Sequence, residues 1–180
     1  MPANIFVKFI NKGQPAFVGE SLQEDHESSK GWVEITEWDW EIEAETSFLK
    51  GTGAAIGKPT PGVFSFSHSY NKASPLLMKT IIQGTHFESM QIDMLKQTGA
   101  VKPEVFFQVK AKYVFISKVS TKGAEDGTVT QDIECVFKEV GFGYKKQEND
   151  GTLDKTIRDF RWNIAEMDLE KCSLTMDLKP

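Results

Sequence analysis

Carboxylates occupy every second position from Glu37 through Asp39 and Glu41 to Glu43. Two acids flanking a glycosidic bond are the equipment of a glycoside hydrolase, and neighbours two apart on one strand face lie about 7 Å apart, a compatible spacing. Such ladders are also common on solvated strands, and the intervening residues decide the reading: Trp38, Trp40 and Ile42 fill the alternate positions. An unpaired buried carboxylate costs several kcal/mol, whereas burying each tryptophan gains about 2 to 3 kcal/mol, so the acids meet water and the indoles meet a core. The acidic face is read as a solvated wall.

The run Gly51-Thr52-Gly53-Ala54-Ala55-Ile56-Gly57-Lys58 superficially resembles a phosphate loop. Its spacing is wrong: the residue five before Gly57 is Thr52, and Pro59 follows the lysine where Ser or Thr would ligate magnesium. Pro59 and Pro61 also deny the helix whose N-terminus would hold phosphate. Nor does the run make a dinucleotide fingerprint, because three residues separate Gly53 from Gly57. His26, His68 and His86 show no metal-ligand spacing, and there is no GxSxG elbow. His68 alternates with Phe64, Phe66 and Tyr70, which suits a packed, hydrogen-bonded histidine. Cys135 is in phase with Ile133 and Phe137 and reads as a buried reduced thiol; a bridge to Cys172 or a reactive thiol is the alternative. No catalytic residue, cofactor or metal is expected.

The elements that position these residues are mostly strands. Period-two patterns recur at 5–9, 63–70, 90–95, 105–116, 129–144 and 160–164. Within Gly31–Glu43 the apolar phase slips by one: Val33 and Ile35 are odd, whereas Trp38, Trp40 and Ile42 are even. A slip near Thr36 requires a bulge or bend that carries one strand between two packing surfaces. A second slip separates Ile133, Cys135 and Phe137 from Val140, Phe142 and Tyr144. From Val105 the odd positions through Tyr113 and Phe115 are apolar, as in a half-buried antiparallel strand. Two slipped strands imply a closed or nearly closed barrel.

One helix is signalled by Ser74 as N-cap, Pro75 at the first helical position and Gly84 past the end, with Leu77, Met78, Ile81 and Ile82 as its buried stripe and Lys79 outward. Residues 44–62 hold four glycines and two prolines with little periodicity and read as a long loop carrying Phe48, Leu49 and Ile56. Such a loop either folds back on its own barrel or reaches a neighbour. Lys122–Gly127 reads as a hairpin turn.

The chain's 180 residues, 39% of them hydrophobic, fit one folded domain, and a net charge of -5 argues against a nucleic-acid partner. No run of about 18 apolar residues is present, so no membrane-spanning helix is expected. The first ten residues lack a basic leader before an apolar run, so no cleaved signal is expected.

Taken in order, the strand Phe6-Val7-Lys8-Phe9, then Gly19-Glu20-Ser21 followed by His26, then Trp38-Asp39-Trp40, the Gly-rich segment, Ser65–Tyr70, Ser74-Pro75 with Leu77-Met78, Val114–Ser120 and Trp162-Asn163-Ile164 resemble the haemolysin co-regulated protein (Hcp) family of type VI secretion. The resemblance covers residues 1 to about 166. It implies a mainly β fold, a β-barrel of two packed antiparallel sheets with one flanking α-helix, and a non-enzymatic, secreted subunit of hexameric rings that stack into a hollow tube. Its implied partners are further copies of itself, the sheath and spike proteins, and effector cargo, and its implied location is the cytoplasm before firing and the exterior after. Glu37, Asp39 and Glu41 then become candidates for the ring lumen, and the segment with Phe48, Leu49, Ile56 and Lys58 for subunit contact. An additional Gly/Pro loop at 11–18, Arg161 where glycine is usual, and a C-terminal extension over 167–180 depart from the pattern. The rival readings are a monomeric ligand-binding or hydrolytic barrel and a phage-like tail-tube protein.

Overall fold

The computed structural model describes residues 4–49 and 53–180, with side chains outside 47–56. In chain order the elements are β1 (Ile5–Asn11), β2 (Gln14–Pro15), β3 (Trp32–Glu34), β4 (Glu37–Asp39), β5 (Ile42–Leu49), β6 (Gly53–Pro61), β7 (Phe64–Ser69), α1 (Ser74–Gln83), β8 (His86–Lys96), β9 (Glu104–Gly123), β10 (Val129–Val136), β11 (Glu139–Tyr144) and β12 (Arg158–Asn163). Each stretch that alternated in the sequence is a strand, and every ladder is antiparallel.

The phase slip at Thr36 is a change of partner. β3 pairs with β1 and β4 pairs with β7. At the bend, Ile35 N donates to Ile5 O at 3.0 Å and the next amide, Thr36 N, donates to Ser67 O at 2.8 Å. One continuous segment thus leaves one edge of the sheet and joins the other, with no backbone donor lost at the crossing. The second slip lies between β10 and β11, which meet successive stretches of the same edge of β9.

A third change of face was not legible. Val105, Val109 and Ala111 are buried, but further along β9 it is Val114 and Ile116 that are buried, while Tyr113 and Phe115 are exposed. Tyr113 sits at φ 56°, a conformation L-residues seldom adopt. The four residues from Tyr113 to Ile116 are all apolar, so hydropathy alone could not locate the switch. The crease continues into the neighbours: β8 buries Phe87 and then Met90, and the β10–β11 break at Phe137–Lys138 lies opposite.

The expected pair of packed sheets is corrected. A ten-stranded sheet folds along this crease, because the 20-residue β9 runs through both halves, and the second sheet is only the β5–β6 hairpin. Between the folded halves lies the main core, including Phe9, Phe64, Phe66, Val109, Ile133 and Trp162. A smaller cluster of Phe6, Trp32, Leu95, Val105 and Leu178 forms separately.

The segment expected as a loop over 44–62 is mostly that hairpin. Its backbone groups pair across β5 and β6, with a register shift between Ala44 and Thr46. Extended backbone there is satisfied by the partner strand despite the weak side-chain pattern. The helix also differs at its start: Ala73 is the N-cap and Ser74 the first helical residue, its Oγ accepting from Asn71 N at 2.9 Å. Gly84 ends it at φ 65°, and Lys79 is exposed as expected. Of the expected stripe Leu77 is buried and Ile81 half-buried, but Met78 and Ile82 face solvent. Tyr70, read in phase with the β7 core residues, lies past the strand and is 42% exposed. The Lys122–Gly127 turn is as read, with Gly127 at φ 86° and Ala124 N donating to Thr128 O at 2.8 Å.

Candidate functional site

Glu37, Asp39 and Glu41 are all exposed, and Trp38 and Trp40 are half-buried beneath them. Trp38 stacks on Phe64 with 5.6 Å between centroids, and Trp40 on Phe142 at 5.3 Å. Trp40 Nε1 donates to Gly62 O at 3.2 Å, so its polar edge is satisfied.

Register extends the acidic strand into a wall. Directly opposed residues share a face, so Glu37, Ser67, Asp132 and Ser120 form one cross-strand row, and Asp39, Ser65, Glu134 and Lys118 the next. Both rows are polar throughout. Within them Ser67 Oγ donates to Asp132 Oδ1 at 2.5 Å, and Lys118 Nζ lies 3.2 Å from Glu134 Oε1. The structure therefore joins Glu37 and Asp39 to a four-strand hydrophilic surface.

Lys58 is exposed on β6. The side chains of Phe48, Leu49 and Ile56 lie outside the described residues. Beside the start of β5, Trp38, Trp40, Ile42, Phe142 and Phe160 line an open apolar groove of about 400 Å³.

The histidines remain apart. His68 is buried; its Nδ1 donates to Ser69 O at 2.8 Å, its Nε2 lies 3.0 Å from Gln131 Oε1, and burial holds its pKa below the usual histidine value. His26 is buried between Phe6 and Trp32, with Nε2 2.8 Å from Asp93 Oδ2. Gln108 Nε2 donates to Asp93 Oδ1 at 2.8 Å. Cys135 is fully buried and Cys172 partly so, and both are free; burial pushes the Cys135 thiol far up. The alternative of a bridge between them is thereby corrected.

The model of the family described as "Type VI secretion system effector, Hcp" matches residues 6–144. The chain belongs to the Hcp family. Membership makes it a type VI secretion Hcp tube protein, in a family of structural rather than enzymatic type. It is 28% identical to Protein hcp1 of Pseudomonas aeruginosa over 150 residues, which is 82% of this chain and 90% of that protein. In fold it is similar to a solved type six secretion system protein, at 24% identity with a TM-score of 0.80, covering 92% of this chain and 98% of the other. It is also similar to Hcp1 from Salmonella typhimurium, at 22% identity with a TM-score of 0.71, covering 93% and 98%.

Sequence reasoning missed what the last residues of this Hcp chain rest on. Gly141 and Gly143, two apart on β11, lie beneath Met176 and Leu178. The signals were present: two glycines in step on one strand face, and an alternation of Leu174, Met176 and Leu178 with polar residues in the tail.

Proposed function

We propose that six copies of this chain close into a ring, that rings stack into the hollow tube of a type VI secretion system, and that the tube carries small effectors in its bore. The continuous hydrophilic surface across β4, β7, β10 and β9 carries this reading. A bore through which a folded cargo slides must stay wet and must not grip it, and a wall of Glu37, Asp39, Ser65, Ser67, Asp132 and Ser120 meets both needs. Glu41 continues the acidic strand at its exposed end. The crossing at Ile35–Thr36, which leads the chain from β1 to β7, supports a sheet that acts as a closed barrel, rigid enough to tile. The β5–β6 hairpin, with Phe48, Leu49, Ile56 and Lys58, is the contact to the next subunit or ring, since a hairpin alone in water is marginal and gains stability from a neighbour. Sheath and spike proteins are the outer partners, and the chain acts in the cytoplasm before firing and outside the cell afterwards.

Native mass spectrometry tests the ring, with an expected mass six times that of the 20.2 kDa chain. Negative-stain images should show annuli. A monomer that persists at high protein concentration, or particles without a central hole, would overturn the reading.

A further inference from the structure

The last ten residues carry no regular secondary structure and join no strand ladder; their burial alternates, and Leu178 turns the chain at φ 52°. Leu174, Met176 and Leu178 are buried, while Ser173, Thr175, Asp177 and Lys179 face outward. The segment lies over β11 and β9 in a shallow channel floored by Gly141 and Gly143. A Cβ at Gly141 would stand 2.8 Å from Met176 Sδ, and one at Gly143 2.7 Å from Leu178 Cδ1, so a side chain at either position would force the tail's apolar side chains to shift. The channel holds the tail through side chains. Lys110 Nζ donates to Thr175 O at 3.1 Å, Arg161 donates to Leu174 O at 3.3 Å, and Gln108 Nε2 donates to Lys179 O at 2.9 Å. In return Leu178 N donates to Gln108 Oε1 at 3.2 Å, and Ser173 N to Glu139 Oε2 at 3.1 Å.

We propose that this channel is a peptide-binding site for an extended segment with large apolar residues at alternate positions, and that the tail of a second copy of this chain can replace the chain's own. Three features carry the step. Most of the ties run to the backbone of the segment, with side-chain ties from Lys110 to Asp177 and from Lys112 to Ser173 added, while the glycine floor receives its apolar side chains. This is the division between affinity and specificity found in extended-peptide recognition. No ladder bond of the sheet is broken when the tail lifts. The connection is also suited to exchange: Asn163 and Asp168 are tied by reciprocal backbone bonds of 2.9 and 3.1 Å, and the exposed Leu169, Glu170 and Lys171 that follow are held only by local bonds, Glu170 N and Lys171 N donating to Asp168 Oδ1 and Asn163 Nδ2 to Lys171 O, none of which reaches the channel. A bound segment that can be contributed by either of two identical chains is a low-cost route to linking them. The proposal does not depend on ring closure, because it concerns a channel and a segment present on each chain.

A chain ending at Glu170 and a fluorescein-labelled synthetic peptide of residues 171–180 provide the test. Fluorescence anisotropy should show saturable binding to the shortened chain, and weaker but measurable binding to the intact one, where the resident tail lowers the open fraction; a roughly tenfold difference is expected. A peptide carrying Met176→Asp and Leu178→Asp should lose binding. No saturable binding to a folded shortened chain, equal binding of the substituted peptide, or no binding to the intact chain even at millimolar peptide would each overturn the proposal. Leu178 also completes the cluster of Phe6 and Trp32, so the shortened chain is first checked by circular dichroism. If it does not fold, hydrogen exchange on the intact protein decides: the Ser173 and Leu178 amides should exchange together and much faster than the Val109 amide in the β8–β9 ladder. Protection equal to that of Val109 would show a fixed tail and end the idea. Native mass spectrometry of the intact chain reads the ring separately.

Discussion

Trp38 and Phe64 lie 7° from parallel with 5.6 Å between their ring centroids, while Asp39, one residue along, is exposed on the opposite side of the same strand. The strand thus divides its two faces between core and water within a single residue step. Trp38 also donates Nε1 to Met94 Sδ at 3.4 Å and stacks on Phe107, so one indole touches both halves of the folded sheet.

Replacing Trp38 with alanine should therefore lower unfolding stability by about 3 kcal/mol. Asp39→Ala, which removes only a solvated carboxylate, should stay within about 0.5 kcal/mol of the parent. Urea unfolding of the two variants checks the pair, and comparable losses would contradict the division of faces.

Much of this arrangement was written in the sequence. The slip between Ile35 and Trp38 announced a strand that changes surfaces, and the structure shows it changing partners from β1 to β7. What failed did so where side-chain pattern and backbone need diverge. Gly53, Gly57, Pro59 and Pro61 suppress strand character in the residues of β6, yet its backbone pairs with β5. At Tyr113–Ile116 both faces offer apolar residues, so the crease left no trace in hydropathy. The helix start was misplaced by one residue because Ser74 has the chemistry of a cap but turns it toward Asn71. The tail's alternation was visible, but its floor of two glycines acquires meaning only when β11 and the C-terminus meet in space.

The two thiols should differ sharply in reactivity. Burial raises the Cys135 thiol far above its ordinary value and also blocks access, whereas Cys172 is partly exposed near the start of the tail. Iodoacetamide at mildly alkaline pH should label Cys172 in the native protein and Cys135 only after denaturation, read by peptide mass mapping. Similar rates at both sites in the folded protein, or recovery of a peptide disulfide, would show the burial to be wrong.

His68 should make the fold acid-sensitive. Its pKa in the folded chain lies below the ordinary 6.5, chiefly because burial disfavours the imidazolium, with hydrogen bonds to Ser69 and Gln131 acting in the opposite direction. The unfolded chain then binds the extra proton more readily, so the contribution of His68 is complete above pH 6.5 and is lost as pH falls below it toward the folded value. His68→Gln should reduce stability near neutrality yet show a shallower decline in its urea midpoint between about pH 7.5 and about pH 5. An unchanged slope in the variant would remove His68 from the account.

Gly143 gives the sharpest test of how the tail sits. A β-branched residue in a strand interior is ordinarily favourable relative to glycine, by up to about 1 kcal/mol. At Gly123, where an added Cβ meets nothing within 4 Å, valine should follow that rule and be neutral or stabilising. At Gly143 the same change drives a methyl into Leu178 and Met176, so the intact chain should lose about 1 to 3 kcal/mol through overpacking or through release of the tail. Chymotrypsin distinguishes those routes, because the bond after Leu174, buried in the seated tail, is cut early when the tail is released and stays protected when it is merely overpacked. Made in a chain ending at Glu170, Gly143→Val should revert to the behaviour of Gly123→Val, and a penalty that survives removal of the tail would place the steric conflict within the sheet itself.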